Sequence, residues 1–234
     1  MISIVAVNYN AGAWIELLVK SVRKFTTAPH ELIIVDNASE DGSKEWLAEQ
    51  SDVTLMPLSA NVGHGLGLNT GIDKAQYRYI LVLDADSHLQ RVGWDYDLYR
   101  LYNQDGKTRL VAAGGGDPNA PNPKPIHACF QFFERRFFLD NGLSFVPNAY
   151  DVGRKNYYDT IRLGYNVVRV MAGVKFYPGA YGDEYYFDGK PTIYHHWYSS
   201  RMWKKEQVDN YRKSDFEKNK RAIFAQPLVK EIMA

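Results

Sequence analysis

The stretch YILVLDADSHL, residues 79–89, places two carboxylates directly after a run of apolar residues. Such a run is typical of a strand that is buried on both faces, as in a parallel sheet covered by helices on each side. Asp84 and Asp86 follow the run with one residue between them. Ligands of open parallel α/β sheets bind beyond the carboxyl ends of the strands. The stretch therefore predicts an α/β protein with an acidic site at one edge of its sheet.

The rest of the first half of the chain supports this prediction by alternating apolar runs with segments of helical character. ISIVAVNYN, ELIIVDNAS and VTLMPLS are typical of strands, whereas WIELLVKSVRKF and GLGLNTGIDKAQ are typical of helices. Asp36 falls at the end of one predicted strand, and the turn from Asn8 to Asn10 ends another. Three polar clusters are thus expected to meet at one edge of a mostly parallel sheet.

The pattern changes after GGGDPNAPNPKPI, residues 114–126, which has neither periodicity nor core-forming side chains. We interpret this segment as a mobile loop that closes over a bound ligand. We expect one domain over residues 1–200, in which residues 1–115 bind a nucleotide and residues 116–200, rich in aromatic side chains, shape the pocket of the second substrate. Residues 201–234 are Lys-rich and predict a surface helix or helix pair.

The composition narrows the classes of function. The chain has 234 residues with 28 basic and 27 acidic side chains, so no overall positive field favours nucleic acid as a partner. Its one cysteine, Cys129, excludes an internal disulfide and indicates a reducing compartment, for which the cytoplasm is the natural choice. No apolar run approaches the ~20 residues that cross a bilayer, and no leader sequence is evident. Membrane contact is therefore expected to be peripheral at most.

The pair Asp84 and Asp86 is a candidate metal site. In an extended strand, residues i and i+2 point to the same side, so both carboxylates can face one ion. Mg²⁺ and Mn²⁺ prefer oxygen ligands, and Mg²⁺ commonly combines one or two carboxylates with phosphate oxygens of a substrate. The alternative is that Asp84 ends the strand and Asp86 caps the following turn.

Two further segments suggest a nucleotide site. A carboxylate at the position of Asp36 can accept a hydrogen bond from a ribose hydroxyl or a base edge, although it can also belong to a capping network with Ser39. NVGHGLGLNTG, residues 61–71, matches neither G-x-G-x-x-G nor G-x-x-x-x-G-K-[ST]. Its glycines favour either an approach to a sugar phosphate or close packing of a helix on the sheet.

From residue 2 to about residue 200 the chain resembles the family 2 type of nucleotide-sugar glycosyltransferase with the GT-A fold. The resemblance rests on the combination and order of four stretches: SIVAVNYN, ELIIVDNASEDGS, NVGHGLGLNTGI and LVLDAD. The resemblance implies that Asp84 and Asp86 form a metal-binding D-x-D motif for Mn²⁺ or Mg²⁺. It also implies a nucleoside diphosphate sugar as donor, most simply a UDP-sugar, and a glycan or another hydroxyl compound as acceptor. The residues that it assigns to the donor site are Asn8, Asn10, Asp36, Asn61, Gly63, Asn69, Asp84 and Ala85.

The same resemblance directs attention to a general base before a helix that closes with Gly-Tyr. Here a single acid, Asp151, precedes the helix that ends at Gly164-Tyr165, where the family usually has an acidic pair. Asp151 is the first choice for the base, with a helix cap as the alternative. Asp159 is the second choice, although its spacing from Arg162 fits an i,i+3 ion pair better.

A histidine near the end of the catalytic region completes the metal shell or contacts the diphosphate in many relatives of this kind. His195 and His196 are the candidates, and only one of them can face the metal if the segment is extended, because neighbouring side chains alternate between faces. A core histidine beside Trp197 is the alternative.

The sequence thus predicts a metal-dependent glycosyltransferase that transfers the sugar with inversion and uses a carboxylate as general base. Two rivals share parts of the pattern. A nucleotidyltransferase also combines an α/β sheet with an acidic metal site but releases pyrophosphate. A non-catalytic nucleotide-sugar or carbohydrate-binding module retains the fold without the base.

Overall fold

The computed structural model describes residues 1–114, 126, 129–147, 152–174, 182–196 and 213–234. Within these ranges ten strands form one mixed sheet in the order β3-β2-β1-β4-β7-β6-β8-β9-β10-β5. The strands are β1 Ile2–Asn8, β2 His30–Asp36, β3 Val53–Pro57, β4 Tyr79–Leu83, β5 Ser87–Leu89, β6 Thr108–Gly114, β7 Phe130–Glu134, β8 Asn166–Val174, β9 Gly182–Phe187 and β10 Lys190–His196.

Helices cover both faces of the sheet. They are α1 Ala13–Phe25, α2 Ser43–Ala48, α3 His64–Lys74, α4 Trp94–Asn103, α5 Arg135–Asp140, α6 Arg154–Arg162, α7 Lys213–Phe224 and α8 Pro227–Met233. The alternation of side chains along β1 explains the two layers. Ile4 packs in the hydrophobic cluster that contains α1, whereas Val5 packs in the cluster that contains α3.

The predicted parallel sheet is confirmed for β1 to β4. β1 pairs in parallel with β2 on one side and with β4 on the other, and β2 pairs in parallel with β3. The residues of β1 and β4 are all buried, as their continuous apolar runs predicted.

The remainder of the sheet is mixed, so the prediction of a mostly parallel sheet needs correction there. β7 lies antiparallel to both β4 and β6, while β6 and β8 are parallel. β9 and β10 form a hairpin whose two-residue turn, Asp188-Gly189, has positive φ at both positions. Such a short connection reverses the chain and permits only antiparallel pairing.

The glycines of α3 allow this helix to lie unusually close to its neighbours. A Cβ atom at Gly65 would lie 2.3 Å from the carbonyl oxygen of Phe145, and one at Gly71 would lie 2.5 Å from a methyl group of Val5. Both distances are shorter than any normal contact. Close packing, the alternative that the sequence left open, therefore accounts for these two glycines.

The charged C-terminal stretch was predicted as a surface helix or helix pair. Two helices are present, α7 and α8, but each also has a buried face: Ile223, Val229 and Ile232 belong to the same hydrophobic cluster as α1. No helix among the described residues combines the length and apolarity needed to span a bilayer.

Candidate active site

The two carboxylates of the D-x-D motif lie in a turn rather than in a strand. β4 ends at Leu83, and the backbone N–H of Ser87 donates to the carbonyl oxygen of Asp84 at 2.9 Å, which closes a turn through the mostly buried Ala85. The turn, and not the alternation of an extended strand, therefore brings the carboxylates together. This corrects the geometric reason that the sequence suggested.

Neighbouring strands hold this turn on both sides. The N–H of Asp84 donates to the carbonyl oxygen of Cys129 at 3.0 Å, and the N–H of His196 donates to the carbonyl oxygen of Asp86 at 2.8 Å. β5 follows the turn directly and pairs antiparallel with β10, which places Ser87 opposite His195. The fold thus fixes the backbone of the motif before any ligand binds.

His195 completes a cluster of three potential metal ligands with Asp84 and Asp86. One ligand atom from each of the three lies within 4.8 Å of the others. The Nε2 atom of His195 is 3.4 Å from Oδ2 of Asp84 and 3.4 Å from Oδ1 of Asp86. Two carboxylates and one imidazole form a donor set that suits a divalent ion such as Mn²⁺.

The electrostatics of this cluster favour a cation. Burial by itself would lower the pKa of His195, but the charges and hydrogen bonds of Asp86 and Asp84 outweigh it and raise that pKa to about 10. In the metal-free protein the imidazolium therefore balances part of the negative charge. A metal ion held by this nitrogen would take over that role, and the imidazole would have to lose its proton to bind it.

His196, the other predicted candidate, points away from the cluster. Its ring lies 4.3 Å from that of Trp14, centroid to centroid, and its Nε2 is 3.0 Å from Nδ1 of His88. His88 and His196 are each 1% exposed. His196 is thus a core histidine, and the prediction that only one of the two neighbours faces the acidic site agrees with this geometry.

Asp36 is fully buried in a polar network behind the site. Its Oδ2 accepts a hydrogen bond from Nδ2 of Asn8 at 2.7 Å, and its Oδ1 accepts one from the N–H of Ser39 at 3.0 Å. The hydroxyl of Ser39 in turn accepts a hydrogen bond from the N–H of Asn10 at 3.0 Å. These bonds hold the loop after β2, but α2 has Gly42 as its N-cap and no side-chain cap hydrogen bond, so the predicted helix cap at Ser39 is wrong. A direct contact of Asp36 with the donor stays a prediction.

The remaining predicted donor residues surround the start of α3. Asn61 uses Oδ1 to accept hydrogen bonds from Nδ2 of Asn37 and from the N–H of Gly63, both at 2.9 Å. Gly63 has a φ of 89° and precedes the first residue of the helix. Asn69 bonds to the hydroxyl of Ser144 at 2.8 Å and therefore ties α3 to the segment after α5.

Two residues near the acidic pair were missed by the sequence reasoning. The Nε2 atom of His64 lies 3.4 Å from Oδ1 of Asp84, and the thiol of Cys129 is buried behind the same turn. Burial, and then the charge of Asp84, raise the pKa of Cys129 well above its usual range, so this thiol is poorly suited to act as a nucleophile. No sequence signal identifies His64, because its position depends on how α3 packs.

The predicted base Asp151 and most of the predicted mobile loop, residues 115–125, lie outside the described residues. Asp159, the second choice for the base, is described. It lies on α6, where it forms ion pairs with Lys155 and, at 2.7 Å, with Arg162. The i,i+3 pair that the sequence favoured for this residue is confirmed.

Comparison with known proteins identifies relatives of this chain. The model of the family described as "Glycosyl transferase family 2" matches residues 3–162. The chain is 32% identical over 90 residues to the putative teichuronic acid biosynthesis glycosyltransferase TuaG of Bacillus subtilis, an alignment that covers 37% of this chain and 36% of that protein. It is 30% identical over 129 residues to poly-beta-1,6-N-acetyl-D-glucosamine synthase of Staphylococcus aureus, an alignment that covers 54% of this chain and 30% of that protein. The chain spans about a third of the length of these two relatives.

Solved structures share the fold at low sequence identity. TarS of S. aureus, residues 1–349 in complex with UDP-GlcNAc, matches 100% of this chain and 70% of its own with a TM-score of 0.59 at 15% identity. The mannosyltransferase PcManGT of Pyrobaculum calidifontis, in complex with GDP-Man and Mn²⁺, matches 72% of this chain and 54% of its own with a TM-score of 0.57 at 18% identity.

Proposed function

This chain belongs to glycosyl transferase family 2 and has the GT-A fold that its sequence predicted, and we propose that it transfers a sugar from a nucleoside diphosphate sugar to a hydroxyl acceptor with the aid of a divalent metal ion. The observation that carries the proposal is the cluster of Asp84, Asp86 and His195, because these residues fit a metal that can neutralise a diphosphate leaving group.

Asp84, Asp86 and His195 are the residues that would hold the ion. When bound, the ion supplies electrophilic stabilisation of the departing diphosphate, worth several kcal/mol. An imidazole among the ligands favours Mn²⁺ over Mg²⁺, because Mg²⁺ prefers an all-oxygen shell. The complex of PcManGT with Mn²⁺ supports the same preference.

We propose a UDP-sugar as donor, since TarS is similar in fold and binds UDP-GlcNAc. A GDP-sugar is the competing donor, because PcManGT binds GDP-Man. Differential stabilisation of the protein by UDP and GDP, each with Mn²⁺, distinguishes them by the larger increase in melting temperature. A larger shift with GDP would reject the UDP assignment.

Asp151 is proposed as the general base of an inverting reaction. The acceptor oxygen forms a bond to the anomeric carbon, the bond from that carbon to the diphosphate breaks, and the acceptor proton goes to the Asp151 carboxylate. Asp151→Asn should retain donor affinity and lower the rate of transfer by about 10² or more. The N-cap of α6 is Gly153, so the helix-cap alternative for Asp151 does not hold. A rate within a few-fold of wild type would mean that Asp151 is not the base.

The metal cluster is tested by Asp84→Asn and Asp86→Asn. Each variant should lose Mn²⁺-dependent hydrolysis of the donor, measured as release of nucleoside diphosphate. Asp52→Asn is a matched control, because Asp52 is exposed and pairs with Arg23 outside the cluster. Full turnover by either cluster variant at limiting Mn²⁺ would contradict the proposal, and release of pyrophosphate from a nucleoside triphosphate would favour a nucleotidyltransferase.

A further inference from the structure

We propose that His64 is a donor-binding residue that donates a hydrogen bond from its imidazole to the diphosphate of the sugar donor. The inference rests on the proposed function of the neighbouring acidic cluster. Its first support is the position of His64 relative to Asp84. Oδ1 of Asp84 is 3.4 Å from Nε2 of His64, and Oδ2 of the same carboxylate is 3.4 Å from Nε2 of His195. Asp84 therefore lies between the two imidazoles.

The second support is the difference in exposure across this cluster. The side chains of His195 and Asp86 are 7% and 9% exposed, that of Asp84 is 15% exposed, and that of His64 is 34% exposed. Among these four side chains His64 is therefore the most accessible to a ligand from solvent. A diphosphate beside Asp84 would then lie within reach of this imidazole.

The third support is that the fold fixes the start of α3. Gly65 packs so closely on the carbonyl group of Phe145 that a Cβ atom there would be 2.3 Å from the oxygen. Asn69 holds the same segment from the next turn of the helix, since its Oδ1 accepts the N–H of Phe145 at 3.0 Å. His64 is the first residue of this anchored helix, so the position of its backbone relative to Asp84 is set before the donor binds.

The chemistry of imidazole fits this role. A ring N–H of an imidazole can donate a hydrogen bond to a phosphate oxygen. Hydrogen bonds to charged groups contribute about 1.5–3 kcal/mol, which corresponds to a change in affinity of about tenfold or more. The functional alternative is that His64 only orients Asp84 for the metal.

The test compares binding of Mn²⁺ alone with binding of UDP in the presence of saturating Mn²⁺, both by calorimetry on the full chain. His64→Ala should weaken UDP binding about tenfold or more and leave the affinity for Mn²⁺ within about twofold. His64→Gln retains an N–H donor and should recover most of the UDP affinity. His30→Gln is the control, because His30 begins β2 at the opposite end of that strand from Asp36.

Two results would overturn the assignment. An equal loss of Mn²⁺ affinity in His64→Ala would show that the residue acts through Asp84, and unchanged UDP affinity would show that it does not contact the diphosphate. Circular dichroism confirms that each variant is folded, and His64→Leu, which also lacks a hydrogen-bond donor, replaces His64→Ala if the latter is not. A wild-type protein that binds neither UDP nor GDP with Mn²⁺ would reject the proposed function itself, which separates that failure from a failure of the His64 assignment.

Discussion

The buried pair of His88 and His196 should make the protein sensitive to acid. Burial lowers the pKa of His88 to about 3, with a small opposing effect of Glu184. Burial, and then the proximity of His88 and His195, lower the pKa of His196 well below its usual value. Both rings are therefore neutral in the folded protein at a pH at which the same side chains of the unfolded chain, with a pKa of about 6.5, bind protons.

The sign and size of the effect follow from proton linkage. Below pH 6.5 the unfolded chain binds up to two protons more than the folded protein, so the free energy of unfolding falls as the pH falls. Each histidine contributes at most about 1.36 kcal/mol per pH unit, so the pair should lower the stability by about 2 kcal/mol between pH 6 and pH 5. His195 does not offset this loss, because its raised pKa keeps it protonated in both states below pH 6.5.

Urea unfolding at several pH values, followed by tryptophan fluorescence without metal, measures this dependence. His88→Leu should reduce the slope between pH 6.5 and pH 5 by about 1 kcal/mol per pH unit, because one of the two protonation sites is removed. His30→Gln, which removes a half-buried histidine at the start of β2, is the control for the loss of a histidine outside this pair. Identical slopes in wild type and His88→Leu would refute the reasoning.

Three further predictions concern positions outside the metal cluster. Ala38 has a φ of 61°, so Ala38→Val should lower the free energy of unfolding by about 1 kcal/mol or more in urea titrations, since β-branched residues are strained in this conformation. Gly65→Ala should cost about 1–3 kcal/mol because the new methyl group overlaps the backbone of Phe145, and unchanged stability would contradict the close packing. Asp159→Asn should leave the rate of sugar transfer within a few-fold of wild type, as expected for a structural partner of Arg162, whereas a loss of about 10² would make Asp159 the base.

The sequence predicted the parallel half of the fold because its signals are local. The run of apolar residues in β4 and the acids after it are contiguous in the chain, so burial and the position of Asp84 at the end of a strand follow directly from the pattern. The mixed second half could not be predicted in the same way, because strand direction there depends on pairing between distant segments.

The same limit applies to the site. Which of His195 and His196 faces Asp86 depends on the register between β10 and β5, and that register is a tertiary property. The proximity of His64 to Asp84 likewise depends on how α3 packs on the sheet. Asp36 has the residue type and position of a nucleotide contact, but only the folded structure shows that both its oxygens accept hydrogen bonds within the protein.

The pairing of β5 with β10 also has a consequence for how the chain folds. His88 on β5 and His196 on β10 are separated by 108 residues. The pairing of these two strands also places the acidic turn beside His195. Contacts of such high sequence separation require closure of a long loop and slow the search for the native topology. Asp84, Asp86 and His195 therefore cannot come together until β5 and β10 have paired. During refolding, tight Mn²⁺ binding should appear only when these strands pair, and after the parallel strands β1 to β4 have formed.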